Sequence, residues 1–121
     1  MSNPAGHHKI NYVEFATTDI EGAKKFYPAV FGWTFKDWGP DYIDSSADVT
    51  GLALGFRRGE PGQKQPSFAP LVVLYSADLK ATEASIVAAG GAVVVPIFEF
   101  PGGRRFHFSD GLGNVLAVWS E

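Results

Sequence analysis

The sequence predicts a single α+β domain built from two βαβββ modules. Three observations predict it. An alternating strand, an aspartate-opened helix and three short strands follow one another, and the same order restarts near residue 71. The two helical frames also match: Asp19 to Gly32 and Asp78 to Gly91 each span 13 residues. Such a repeat makes two equivalent sheets, each burying one face under its helix. The opposite faces then need cover from the other module or from a second chain.

The elements follow in order. Residues 1–9 are polar, hold Pro4 and Gly6, lack the apolar stretch of a signal peptide, and read as a flexible tail. Ile10 to Ala16 alternates, with Tyr12, Glu14 and Ala16 on one face and Val13 and Phe15 on the other. Thr18 and Glu21 resemble a capping box, with Asp19 adding charge at the helix start. Ile20, Ala23, Phe26, Tyr27, Val30 and Phe31 recur at helical spacing up to a Gly32 terminator. Pro28 within that stripe predicts a kink, a bulge or a shorter helix. Strands are expected at Trp33 to Lys36, Asp41 to Ser45 and Gly51 to Arg57, with turns at Gly39-Pro40 and Ser46 to Asp48. Residues 58–70 read as a linker between module one (10–57) and module two (71–121). The second module is expected as a strand at Leu71 to Ser76, a helix at Leu79 to Ala89 ending at Gly90-Gly91, and strands at Ala92 to Ile97, Arg104 to Ser109 and Val115 to Trp119.

Composition narrows the function. The 121 residues suffice for a core without staples, and 14% are aromatic, including ten Phe. Such rings fill cores and line pockets for organic ligands. A net charge of −3 and two isolated arginine pairs do not make the basic face that nucleic acid requires. No apolar run reaches the roughly 20 residues of a membrane span. The lack of cysteine excludes disulfides, thiolate metal sites and cysteine nucleophiles, and suits a cytoplasmic location.

The segment Asn11 to Asp19, then Ala23-Lys-Lys-Phe26-Tyr27 and Val30-Phe31-Gly32-Trp33, resembles the first module of the vicinal oxygen chelate superfamily. This group contains glyoxalases, bleomycin-resistance proteins and extradiol dioxygenases. The likeness is nearest to bacterial predicted enzymes related to lactoylglutathione lyase. Asp78-Leu79, Ala88-Ala-Gly90-Gly91 and Asp110-Gly-Leu-Gly113-Asn114 extend it through module two. The resemblance implies a glyoxalase-like domain over 10–121, its cupped mixed sheet carrying helices on the outer face and a small-molecule ligand within. It also implies a homodimer. The group's usual cofactor is a divalent metal held by His, Gln or Glu from four strands, a Lewis acid on developing oxyanion charge.

The resemblance places those ligand positions on Tyr12, Val72, Ala117 and the stretch Gly51 to Phe56, which has no His, Asp, Glu or Gln. Val and Ala cannot bind a metal, and one phenol cannot hold it alone. The expectation is therefore a site without metal or other cofactor. Tyr12, Val72, Arg105, Val115, Ala117 and Trp119 are the candidate substrate-binding residues, with Glu14 and His107 the candidate catalytic pair. Glu14 is either a solvated or Arg105-paired side chain, or a base in an aromatic pocket. His107, between Phe106 and Phe108, is either packed or a donor to a substrate oxygen. Arg105 is a surface charge or a carboxylate or phosphate binder. Three functions remain open: metal-independent proton transfer of the isomerase or lyase type, sequestration of an antibiotic or metabolite without chemistry, and a lyase or dioxygenase with relocated ligands such as His107 and Glu14. His7-His8 is weak evidence for a metal site.

Overall fold

The computed structural model describes residues 6–62, 65–66 and 68–121. Residues 1–5 of the expected tail, and Gln63, Lys64 and Ser67 of the linker, lie outside the described residues. Module one runs β1 (Tyr12–Thr17), α1 (Ile20–Phe31), β2 (Lys36–Asp37), β3 (Tyr42–Ser45), α2 (Ala47–Thr50) and β4 (Ala53–Arg58). Module two runs β5 (Val73–Tyr75), α3 (Leu79–Ala88), β6 (Ala92–Phe100), β7 (Gly103–Ser109) and β8 (Val115–Ser120). They form two four-stranded mixed sheets, ordered β1-β4-β3-β2 and β5-β8-β7-β6. In each sheet the first strand pairs parallel with the last, so the repeat expected from the sequence is a repeat of topology.

Local chemistry fixes the helices. The N-cap of α1 is Asp19, whose Oδ1 accepts from the Gly22 amide at 2.8 Å, while Thr17 Oγ1 accepts from the Asp19 amide at 3.0 Å. The Thr18–Glu21 box is therefore replaced by a carboxylate cap, a stronger acceptor at the positive end of the helix. Asp78 caps α3 in the same way, accepting from the Ala81 amide at 3.1 Å. α1 continues through Pro28 to Phe31 and ends on left-handed Gly32 (φ 72°), whose amide donates to the Pro28 carbonyl at 3.0 Å. The proline removes one helical donor, and burial of Ile20, Ala23, Phe26 and Tyr27 outweighs that loss.

Three departures from expectation have a clear physical cause or change an element's type. Trp33 is buried and stacks on Tyr27 with ring centroids 5.1 Å apart, so the chain follows the ring into the core and pairs only from Lys36. Ser46 to Asp48, expected as a turn, opens the one-turn helix α2. β6 runs past Pro96 to Phe100 because it lies at a sheet edge and shifts register twice, between Val93 and Val95 and between Val95 and Phe98. A residue without an amide donor is tolerated at such a place.

Both sheets and both long helices share one core. Phe15, Ile43, Leu54 and Phe56 enter it from the first sheet, and Phe106, Phe108, Leu116 and Val118 from the second. Ile20, Phe26 and Tyr27 of α1 meet Leu79 and Ile86 of α3 in the same cluster. A polar clasp crosses it. Tyr27 Oη donates to Asp110 Oδ2 at 2.7 Å, Asp110 Oδ1 accepts from the Leu112 and Asn114 amides at 2.8 and 3.1 Å, and Asn114 Nδ2 donates to the Ala16 carbonyl at 2.9 Å. Among the described residues no helix is long and apolar enough to cross a membrane.

The clasp carries the first prediction. Tyr27→Phe keeps the ring but leaves the buried Asp110 carboxylate short of a donor, and should cost about 1–3 kcal/mol in urea unfolding. A loss below a few tenths would mean that the modules do not depend on this bond.

Candidate functional site

Each sheet has a face turned away from the core. On the first sheet, Phe15 and Thr17 of β1 are buried, which turns Tyr12, Glu14 and Ala16 to the open face. Across the strands Glu14 faces Gly55, and Gly55 faces Asp44. Above Gly55 the hydroxyls of Tyr12 and Tyr42 hydrogen-bond to one another. A Cβ at Gly55 would collide with the Tyr12 hydroxyl and lie 2.8 Å from both Tyr42 Oη and the Ile43 carbonyl. The glycine is what lets the phenols meet. Burial pushes both phenols up from the usual tyrosine value, and Glu14 adds to the rise at each. Both therefore remain protonated at neutral pH.

Glu14 does not meet Arg105. Its carboxylate pairs with Arg57 Nε at 3.3 Å, and both side chains are about half exposed. Such a pair contributes about 0–1 kcal/mol. The expected partner lies on the other sheet, because Arg105 belongs to β7. The aromatic-pocket setting considered for Glu14 is likewise replaced by an exposed ion pair beside two phenols.

On the second sheet the register lays two rows across the open face. One row is Phe98, Arg105, Trp119 and Tyr75, from β6, β7, β8 and β5. The next is Val95, His107, Ala117 and Val73. Arg105 Cζ lies 5.4 Å from the Phe98 ring centre and 5.7 Å from that of Phe100, within cation–π range. Arg105 Nε and His107 Nε2 are buried and have no hydrogen-bond partner among the described residues. Burial, and then the Arg105 charge, hold the His107 imidazole below its ordinary value. Val115, Ala117 and Trp119 alternate on this face as expected, while Leu116 and Val118 enter the core.

Val72 is placed differently. It packs against the core, and the open-face residue opposite Ala117 is Val73. One residue of register inverts the face of a strand. Val72 and Glu14 do line a common cavity of about 290 Å³ with Arg57, Gln65, Pro70 and Asn114. Gln65 Oε1, which accepts from the Val115 amide at 2.7 Å, pins the linker beside it. No hydrogen bond, ion pair or ring contact among the described residues joins this cavity's Glu14 to His107.

The donor set does not suit a divalent metal. Among the four strands that would supply it, Tyr12, Gly55, Val73 and Ala117 offer one phenol. No group of three or more His, Cys, Asp or Glu among the described residues could hold a cation. His7 and His8 contact each other edge to face, with ring centroids 3.9 Å apart. Tyr42, Arg57 and Gly55 escaped the sequence reading, although β3 alternates Tyr42 and Asp44 against buried Ile43 and Ser45. Phe98 and Phe100 escaped because the strand was expected to end at Ile97.

A family model described as the glyoxalase/bleomycin resistance protein/dioxygenase superfamily matches residues 9–118. "Putative glyoxylase CFP32" of Mycobacterium tuberculosis is 31% identical over 115 residues, covering 90% of this chain, which spans only 44% of that protein's length. A glyoxylase-like domain-containing protein of Didymella fabae is 29% identical, with 93% of each chain covered. Among solved structures, a glyoxalase-related enzyme from Fulvimarina pelagi superposes with TM-score 0.77 at 20% identity, covering 94% of this chain and 88% of its own. The fosfomycin resistance protein FosX from Listeria monocytogenes superposes with TM-score 0.75 at 13% identity, covering 100% of this chain and 94% of its own. These last two likenesses concern the fold.

Two predictions follow from the geometry. Gly55→Ala should separate the phenols and cost about 1–3 kcal/mol by overpacking, read by urea unfolding; an unchanged midpoint would show that the tyrosines do not need the bare backbone. The second concerns pH. The unfolded chain takes up a proton at His107 near pH 6.5, before the native state does. Native stability is thus complete above 6.5 and declines as the pH falls toward the lowered native value. His107→Gln should flatten that decline, and an identical slope in the variant would show the imidazole to be solvated.

Proposed function

Because the chain belongs to the glyoxalase/bleomycin resistance protein/dioxygenase superfamily, we propose that it binds a small organic molecule against the open faces of its sheets without a metal cofactor. The observation that carries this reading is the replacement of a donor set by a phenol, a glycine and two apolar side chains on β1, β4, β5 and β8. A surface so furnished recognises rings and hydroxyls better than cations. Cytoplasmic residence suits a chain without cysteine. A homodimer suits open faces that leave Val73 and Tyr75 40% and 54% exposed. Sequestration requires nothing more than these surfaces.

A second reading is metal-independent proton transfer, and one arrangement favours it. Glu14 borders the 290 Å³ cavity, and its charge helps to raise the pKa of the paired phenols of Tyr12 and Tyr42. A carboxylate can accept a substrate proton while a neutral phenol donates to the oxygen that gains charge. His107 lies on the other sheet, so in this reading it binds rather than shares the step.

The test is a thermal-shift screen of metabolites and antibiotics in EDTA, followed by turnover assays on each hit. Hits in EDTA whose binding survives Glu14→Gln, with no product formed, match sequestration. Product formation lost in Glu14→Gln with binding retained matches proton transfer. Hits that need a stoichiometric divalent metal, itself lost in His107→Ala, would overturn the proposal.

A further inference from the structure

Resting on that reading, we propose that the second sheet's open face holds a planar, ring-bearing organic anion, its anionic oxygens on Arg105 and His107 and its ring against Trp119. Three observations carry it. First, Arg105 is a permanent cation for which the described residues supply no ion pair, and its Nε is buried without an acceptor. Of the acids on and beside these strands, Glu99 stands opposite Arg104, in the row of the opposite face, and Glu121 accepts from Tyr75 Oη at 2.5 Å; neither forms an ion pair with Arg105. A buried donor left unmet is costly, and a charged acceptor is its strongest complement.

Second, His107 stands two residues along on the same face, its Nε2 equally unmet. Held neutral by burial and by the Arg105 charge, the ring can donate one N–H to an oxygen without carrying a second positive charge. The pair thus offers one cationic and one neutral donor on a single strand, matched to a carboxylate or a phosphoryl group. Third, the flanks are rings. Phe98 and Phe100 lie within cation–π range of the guanidinium, and Trp119 stands directly across the strands from it and meets Phe100 edge to face at 6.4 Å. Tyr75 meets Trp119 edge to face at 5.1 Å and braces it. A charged group with an aromatic body satisfies all three surfaces, whereas a neutral ring leaves the donors unmet and a simple anion leaves the rings uncovered.

The test uses the full chain and three probes, 2-naphthoate, 2-naphthyl phosphate and neutral 2-naphthamide, followed by tryptophan fluorescence and titration calorimetry. At least one anion should bind roughly tenfold or more tighter than the amide, as charge-assisted hydrogen bonds require. Preference for the carboxylate or for the phosphate identifies the group. Arg105→Gln should abolish the preference, Arg105→Lys should keep part of it, and Arg104→Gln, which removes the same charge from the opposite face, should leave it intact. The wild-type ratio needs no variant, so misfolding of Arg105→Gln does not spare the proposal. Equal binding of acid and amide, no binding of any probe, or a preference that survives Arg105→Gln would overturn it. Neutral hits in the EDTA screen alongside that result would leave the broader binding reading standing, so the two failures are distinguishable.

Discussion

The constraint on which the architecture depends is a buried carboxylate shared by the two modules. Asp110 belongs to the last turn of module two, yet one of its oxygens accepts from Tyr27 on the helix of module one. Burial pushes the Asp110 carboxyl up, and the donors from Tyr27, Leu112 and Asn114 pull against that rise. Tyr27 is raised well above its usual value, by burial first and then by the Asp110 charge. An ionised group in such a place is tolerated only when its oxygens are engaged. Asn114 completes the tie by holding the carbonyl of Ala16, so the same turn fixes the first strand. The helices and strands of both modules thereby share one core, which leaves each sheet a second, open face.

Those two faces divide the chemistry that a family resemblance would gather in one centre. The first carries the hydrogen-bonded phenols of Tyr12 and Tyr42 beside the Glu14–Arg57 ion pair. The second carries a guanidinium and an imidazole set among rings. Glu14 and His107, natural partners on paper, stand on different sheets. A reaction using both within one chain would have to bridge those sheets, while binding against either face needs no such reach.

Much of the fold was legible because it rests on short-range rules. Asp19 and Asp78 cap helices, Gly32 ends one, and alternation sorted Tyr12 from Phe15 and Ala117 from Val118. What was not legible depended on long-range contacts. Nothing near Gly55 announces that two phenols 30 residues apart meet above it. Trp33 reads as a strand residue, yet its ring is drawn to Tyr27. Val72 and Val73 are chemically alike, so only the pairing with Ala117 decides which faces outward. Arg57 could be found as Glu14's partner only after β1 and β4 were known to run parallel.

The claim beneath the functional account is that an organic guest is recognised on these faces by side chains alone. Amide chemical-shift mapping of the ¹⁵N-labelled protein tests it most directly, with a bound compound titrated first in EDTA and then with excess Zn²⁺ or Mn²⁺. The account expects perturbations on the strands bearing Tyr12, Arg105, His107 or Trp119 in EDTA, with saturation unaffected by the cation. Perturbations that arise only after metal is supplied, centred on Tyr12 and Ala117, would contradict it.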